Sequence, residues 1–199
     1  MNKVFLQQRK TARFRNFPAL AGPNGRTGEV SIKVNRILEI RTGFALSMNI
    51  YLVRHGEAVS ERMDPERPLT PSGREQVEQV AAMATARHVH VAAIFHSGIL
   101  RAKQTAEILA THLQFNSGVQ KLSGLLPQDD PAVAKGEIEA AEHPIILVGH
   151  LPHLNRLLAL LVRGDTEAVA MELAPATMVC CSFDGSKWEI AWTLSPRLS

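Results

Sequence analysis

The chain has 199 residues, 45% hydrophobic and 21% charged, which is enough apolar material for one sizeable core and excludes a wholly disordered chain. Its 13 Gly and 11 Pro exclude a collagen-like sequence, and its two cysteines, Cys180 and Cys181, are adjacent and cannot frame a disulfide scaffold. The net charge of +3 is uneven: nine Lys and Arg against Glu29 and Glu39 put residues 1–47 at +7, leaving the remainder at −4.

The basic leader shows little sustained periodicity, and Met48 stands directly before the first clear strand. Residues 1–47 are therefore expected to lie outside the fold, as upstream translation of a shorter protein starting at Met48. A targeting peptide, or an arm for nucleic acid or a membrane surface, is the competing reading of such charge. No stretch approaches the roughly 18 uninterrupted apolar residues of a membrane span, and the N-terminus lacks the pattern of a secretory signal. The chain is expected to be cytoplasmic and monomeric, with no nucleic-acid or membrane partner.

From Met48 onward the elements come regularly. Ile50–Val53 is a short apolar, β-rich run that ends in Arg54-His55-Gly56. Thr70-Pro71 opens a helix as N-cap and first helical residue, continuing to about Arg87, with Gly73 where a complete capping box would have Glu or Gln. A second apolar run, Val91–Phe95, ends in His96-Ser97-Gly98. Ser97 is the expected cap of the next helix, whose Ala102, Ala106, Leu109 and Leu113 recur at helical spacing. A shorter helix is predicted over about 131–142. Pro144–Val148 is the third apolar run, ending in Gly149-His150, and residues 151–162 form a strongly apolar helix. Thr177–Phe183 and Lys187–Leu194 flank Asp184-Gly185 as a hairpin.

Continuous rather than alternating apolar runs describe strands buried on both faces. Their alternation with helices predicts a single doubly wound, mostly parallel α/β sheet, with helices on both faces and an antiparallel edge. In such a sheet, ligands bind beyond the carboxyl ends of the strands. Those ends carry Arg54, His55 and Gly56, then Ser97 with Arg101 one turn into its helix, then His150. Arginine presents a planar fork of donors suited to phosphate oxygens, and helix N-termini add backbone N–H groups. Cations converging without an acidic cage describe a metal-free, cofactor-free site for a phosphoryl group. A histidine there is a candidate nucleophile, with developing charge held by the arginines and by His150 if protonated.

At these residues the chain resembles the histidine phosphatase superfamily, and within it the short phosphohistidine phosphatases of the SixA type. The motifs are Leu52–Ala58, Arg67–Gly73, Ser97–Ala106 and Gly149-His150-Leu151-Pro152, and the likeness runs in order from Met48 to the terminal Trp192–Pro196. It implies a phosphoglycerate-mutase-like fold. It also implies His55 as the phospho-accepting nucleophile, and Arg54, Arg101 and His150 as the phosphate pocket, with Gly56 and Ser97 beside them. The implied partner is a phosphohistidine-bearing protein such as a phosphorelay domain. Gly98 stands where relatives carry proline, and the chain is too short for the inserted segment that carries a general acid in the larger members. Asp129 and Asp130 lie in the comparable stretch as candidate weak acids, with helix capping as the competing role. A phosphatase for small phosphate esters and a phosphate-binding module without turnover are the alternatives.

Other residues receive structural readings. His88 and His90 alternate on an expected strand, with no third metal ligand in view. His96 and His153 flank the site. Trp188, Ile190 and Trp192 are expected on one strand face, and one of the two cysteines is expected to face inward.

Overall fold

A computed structural model describes residues 48–197; the expectation for the leader falls outside that range. Six strands form one sheet: β1 (Met48–Arg54), β2 (Ala93–His96), β3 (Gln120–Lys121), β4 (Ile145–Gly149), β5 (Met178–Phe183) and β6 (Trp188–Leu194), in the order β3-β2-β4-β1-β5-β6. The first four in this order are parallel, while β5 pairs antiparallel with β1 and β6 antiparallel with β5. The helices are α1 (Pro71–Ala86), α2 (Leu100–His112), α3 (Pro131–Ala140) and α4 (His153–Arg163). None of the described helices is long and apolar enough to cross a membrane.

The apolar runs are continuous because the sheet is covered on both faces. Tyr51, Val53, Ile146 and Val148 point to one side, against Val77, Val80 and Ala84 of α1 and Ala106 and Leu109 of α2. Ile50, Leu52, Ile145 and Leu147 point to the other, against Ala134 and Ile138 of α3 and Leu154, Leu157 and Leu158 of α4. Each large aliphatic side chain buried this way contributes roughly 1.5–3 kcal/mol. Register aligns the strand ends: Arg54 pairs with Gly149, and Val53 and His96 both stand beside Val148. Residues 55, 97 and 150 therefore leave the sheet along one edge.

Three local expectations are corrected. First, Ser97 does not cap α2. Its N-cap is Ile99, which makes no side-chain capping bond, because Gly98 turns the chain at φ +93° and moves the helix start onward. Second, the last strand does not keep its tryptophans on one face. Cys181 pairs with Ile190 but Cys180 pairs with Trp192, so Ala191 is a bulge that reverses the alternation. Trp188 and Ile190 join the α3/α4 layer, whereas Trp192 stacks on Tyr51 in the other. The same double covering buries both cysteines, one in each layer. Third, His88 and His90 lie on the connection before β2, not on a strand; His88 takes φ +54°. The two-residue strand β3 has no counterpart among the expected elements, since two exposed polar residues leave no apolar run.

One contact fixes the loop after β1 on α1. Gly56 and Gly73 meet backbone to backbone: a Cβ on Gly56 would come within 2.6 Å of the Gly73 carbonyl, and one on Gly73 would overlap the Glu57 carbonyl. Thr70 completes the junction, its N–H donating to Glu57 O at 3.0 Å and its Oγ1 accepting from Gly73 N–H at 2.9 Å. Gly136, by contrast, sits in α3 with open space around its Cα. Two Gly→Ala changes inside helices should therefore have opposite signs. Gly136→Ala should stabilise by about 0.5–1 kcal/mol, and Gly73→Ala should destabilise by about 1–3 kcal/mol. Thermal unfolding of the two variants checks this; a Gly73→Ala protein as stable as the parent would refute the contact.

Candidate active site

The parallel edge delivers two histidines side by side. His55 follows β1 and His150 follows β4, with ring centroids 4.9 Å apart and planes at 53°. His55 Nδ1 lies 2.7 Å from the Gly56 carbonyl. A carbonyl can only accept, so Nδ1 carries the ring proton and Nε2 keeps its lone pair. Arg101 Nε donates to that Nε2 at 3.2 Å, a contact open only to an unprotonated nitrogen. Burial pushes His55 down to about 4; the Gly56 bond opposes this, and Arg101, Arg54 and Arg67 reinforce it.

His150 is 1% exposed, and its Nε2 lies 2.7 Å from Ser97 Oγ. Ile99 N–H donates to that oxygen at 3.3 Å. Donating in turn to Nε2 gives Ser97 both of its partners, and the His150 proton then sits on Nδ1. Burial, then His55 and Arg101, push His150 down to about 3. The imidazolium considered from sequence is not the form these surroundings favour. His150 is a neutral N–H donor here, and its Nδ1 is buried without a partner.

Arg54 is anchored by its Nη1, which donates to the Leu173 carbonyl at 2.7 Å, while its Nε is buried and unbonded. Burial works against its charge and nearby Glu172 works for it. Thr105 ties two segments together: its Oγ1 accepts from Gly56 N–H at 3.2 Å and donates to Arg101 O at 2.8 Å. Arg67 stands in the left-handed region at φ +50°, its Nε donating to Val59 O at 3.2 Å, and its charge reaches both His55 and Arg101. Two unpaired buried donors, a lone-pair nitrogen and three guanidinium groups form a receptor for a compact multiply charged anion.

The structure thus brings together His55, Gly56 and Arg101 by direct bonds, His150 by ring contact, Ser97 through His150, and Arg54 by chain adjacency. Asp129 and Asp130 are engaged elsewhere. Asp130 caps α3, its Oδ1 accepting from Ala132 N–H, and Asp129 Oδ2 accepts from Leu126 N–H, both at 2.9 Å. Neither bonds to His55, Arg54, Arg101 or His150. His96 accepts from Gly98 N–H through Nδ1 at 3.0 Å and so shapes the turn. His153 is fully buried beneath the site with neither ring nitrogen bonded. Arg67, Thr105 and Leu173 join the site without having been singled out by sequence reasoning. A cation and a hydroxyl inside the quoted motifs are the available signals for the first two. The carbonyl of Leu173 has no sequence signal at all.

Comparison with known proteins places this geometry. Residues 50–126 match the sequence profile of the histidine phosphatase superfamily, branch 1. The chain is 26% identical over 154 residues to the phosphohistidine phosphatase SixA of Escherichia coli, covering 75% of this chain and 94% of that one. It is 32% identical over 126 residues to an uncharacterized protein of Picosynechococcus, covering 60% and 76%. Among solved structures, that of the protein histidine phosphatase SixA complexed with tungstate superposes with a TM-score of 0.68 at 24% identity, covering 75% of this chain and 97% of that one. The chain belongs to the histidine phosphatase superfamily and is of the SixA type, a likeness that supports phosphatase activity.

Proposed function

We propose that the protein is a metal-independent phosphohistidine phosphatase working through a covalent intermediate on His55, with a phosphorelay-type protein of the cytoplasm as its substrate. The reading rests on one observation above the others: the Gly56 carbonyl holds the His55 proton on Nδ1 and leaves Nε2 as a lone pair beside Arg101. The Nε2 pair attacks phosphorus as the P–N bond to the substrate ring, protonated on its other nitrogen, breaks; the bonding pair stays with the departing nitrogen and the ring leaves as neutral imidazole. Arg54, Arg101 and the neutral His150 hold the equatorial oxygens. Water then attacks the phosphohistidine, the P–Nε2 bond breaks, and inorganic phosphate leaves His55 regenerated. Gly56 and Ser97 position the nucleophile and His150.

His55→Ala should abolish turnover, and the parent protein quenched in base should carry an acid-labile phosphate on His55. Activity above a tenth of the parent, a barrier change below roughly 1.4 kcal/mol, would rule out the covalent route.

The pH profile derives from the depressed His55. Its reactive form is the neutral one, so kcat/KM for an aryl phosphate, corrected for titration of the substrate, should hold at mildly acidic pH and fall as pH drops through about 4. A loss centred near 6.5, the ordinary imidazole value, would show that the ring is not held neutral by its surroundings.

The substrate class derives from Asp129 and Asp130 being bonded to backbone N–H groups. Expelling an alkoxide from a phosphoserine or sugar phosphate needs a proton donor in the transition state. Expelling neutral imidazole does not, because a phosphohistidine carries the needed proton on its other ring nitrogen, and the departing ring's conjugate acid has a pKa of only about 6.5. Phosphohistidine and activated aryl phosphates should turn over, alkyl phosphates should be poor, and the rate should depend steeply on leaving-group pKa. The double change Asp129→Asn with Asp130→Asn should barely alter phosphohistidine turnover. Efficient alkyl phosphate hydrolysis lost in that variant would make one of the two the acid and favour a small-ester phosphatase. Absence of turnover on every substrate would leave a phosphate-binding module.

A further inference from the structure

Beside the phosphoryl site lies a cavity of about 450 Å³, large enough for a small organic group. Ser97, whose hydroxyl bonds His150, forms part of its wall and is the residue that the cavity shares with the site. Leu122 and Leu126 supply apolar surface, Lys121 one cation, and Asp129 and Asp130 two anions. The departure at Gly98 leaves room for Lys121. The lysine stem lies across that glycine: a Cβ there would come within 2.7 Å of Lys121 Cε and 2.9 Å of its Cδ. Gly98 also holds φ +93°, a conformation a substituted residue would resist. The turn that carries Ser97 is thus open on the side where the lysine passes.

The charges in the cavity are separated along the chain. Lys121 stands opposite His96 at the end of β3, next to the Ser97–Gly98 turn, while Asp129 and Asp130 are held at the start of α3. Among the described residues neither aspartate nor Lys121 takes part in an ion pair. A lysine whose stem passes over Gly98, with its ammonium unpaired and its side chain lining a cavity that shares Ser97 with the site, is placed to meet part of a substrate.

Building on the phosphatase reading above, we infer that Lys121 binds an anionic group of the substrate that lies close to the transferred phosphoryl, at the end of the cavity formed by Ser97 and away from Asp129 and Asp130. The recognised chemistry is a carboxylate or a similar anion close to the transferred phosphoryl, as an acidic side chain near the phosphohistidine would supply. Lys121 is a specificity residue in this account, not part of the bond-making machinery. Asp129 and Asp130 repel a second anion further along.

Two activated esters that differ in one charge test the inference, 3-carboxy-4-nitrophenyl phosphate and its carboxamide, each rate corrected for leaving-group pKa on the line set by uncharged aryl phosphates. The parent protein should prefer the carboxylate by about fivefold in kcat/KM, near 1 kcal/mol, the upper end for an ion pair that solvent can reach. The preference should lie mainly in KM. Lys121→Met keeps the stem over Gly98 and should bring the ratio to about 1, while Lys121→Arg should retain it. Added salt should erode the ratio in the parent and leave the Lys121→Met ratio unmoved. Equal use of the two esters by the parent, or a preference that survives Lys121→Met, overturns the assignment while leaving the phosphatase reading intact. Failure to hydrolyse either ester or 4-nitrophenyl phosphate overturns both.

Discussion

The hydrogen bond from His55 Nδ1 to the Gly56 carbonyl, 2.7 Å long, is the interaction on which the rest of the site depends. It closes within two consecutive residues, so it is only as rigid as the loop that carries them. That loop is clamped from three sides. Gly73 packs against its backbone from α1, Thr105 accepts the Gly56 N–H from α2, and Gly149 O accepts the His55 N–H from β4 at 3.2 Å. Gly56 and Gly73 are both required sterically, because the two backbones come closer than any Cβ allows. The helices on one face of the sheet are thus fastened to the nucleophile loop as well as to the core.

Burial and charge act together at this edge. Each histidine would be half-protonated near 6.5 in water, yet desolvation favours the neutral ring in both, reinforced by Arg101, Arg54 and Arg67 at His55 and by His55, Arg101, His153 and Arg54 at His150. The linkage has a definite sign. Below 6.5 an unfolded chain takes up protons that the folded site refuses until about 4 at His55 and about 3 at His150, so the site lowers stability as pH falls through that window. Above 6.5 the two rings are neutral in both states and contribute no pH dependence. The cost of gathering like charges and leaving Arg54 Nε and His150 Nδ1 unbonded is concentrated at the place where an anion would relieve it.

Legible in the sequence were the features written in short contiguous patterns. Continuous apolar runs located β1, β2 and β4, and the polar residues ending them located His55, Ser97 and His150, because strand ends and site edges coincide in a parallel sheet. Arg101 came from helical spacing after the second run. Features that depend on chain meeting chain were not legible. The Ala191 bulge reverses the faces of β6 without any glycine to announce it. Ser97 has the local pattern of a cap, but His150, 53 residues later, engages its hydroxyl. Leu173 contributes only a carbonyl, from the irregular stretch between α4 and β5, and no side chain records that. Arg67 was in view within a motif, but its reach to His55 depends on a loop conformation held by Val59 and by Gln104, whose Oε1 accepts from Leu69 N–H at 2.8 Å.

The Gly56 carbonyl has a second role once the nucleophile of the proposed reaction has attacked. A neutral imidazole that forms a bond through Nε2 becomes a cation, and its positive charge is shared with the Nδ1–H. The acceptor already facing that proton then makes a charge-assisted hydrogen bond, stronger than the neutral one it replaces. The same contact that opposes the depression of His55 in the resting ring therefore stabilises the cationic phosphohistidine, where the phosphoryl oxygens also offset the arginines. The contact gains strength as the charge develops, which is the requirement for lowering a barrier and not only for holding a substrate. An acceptor with a full negative charge would have raised the resting pKa and stabilised the protonated ring, removing the lone pair at neutral pH. A backbone carbonyl is polar enough to fix the tautomer and weak enough to leave the nucleophile free.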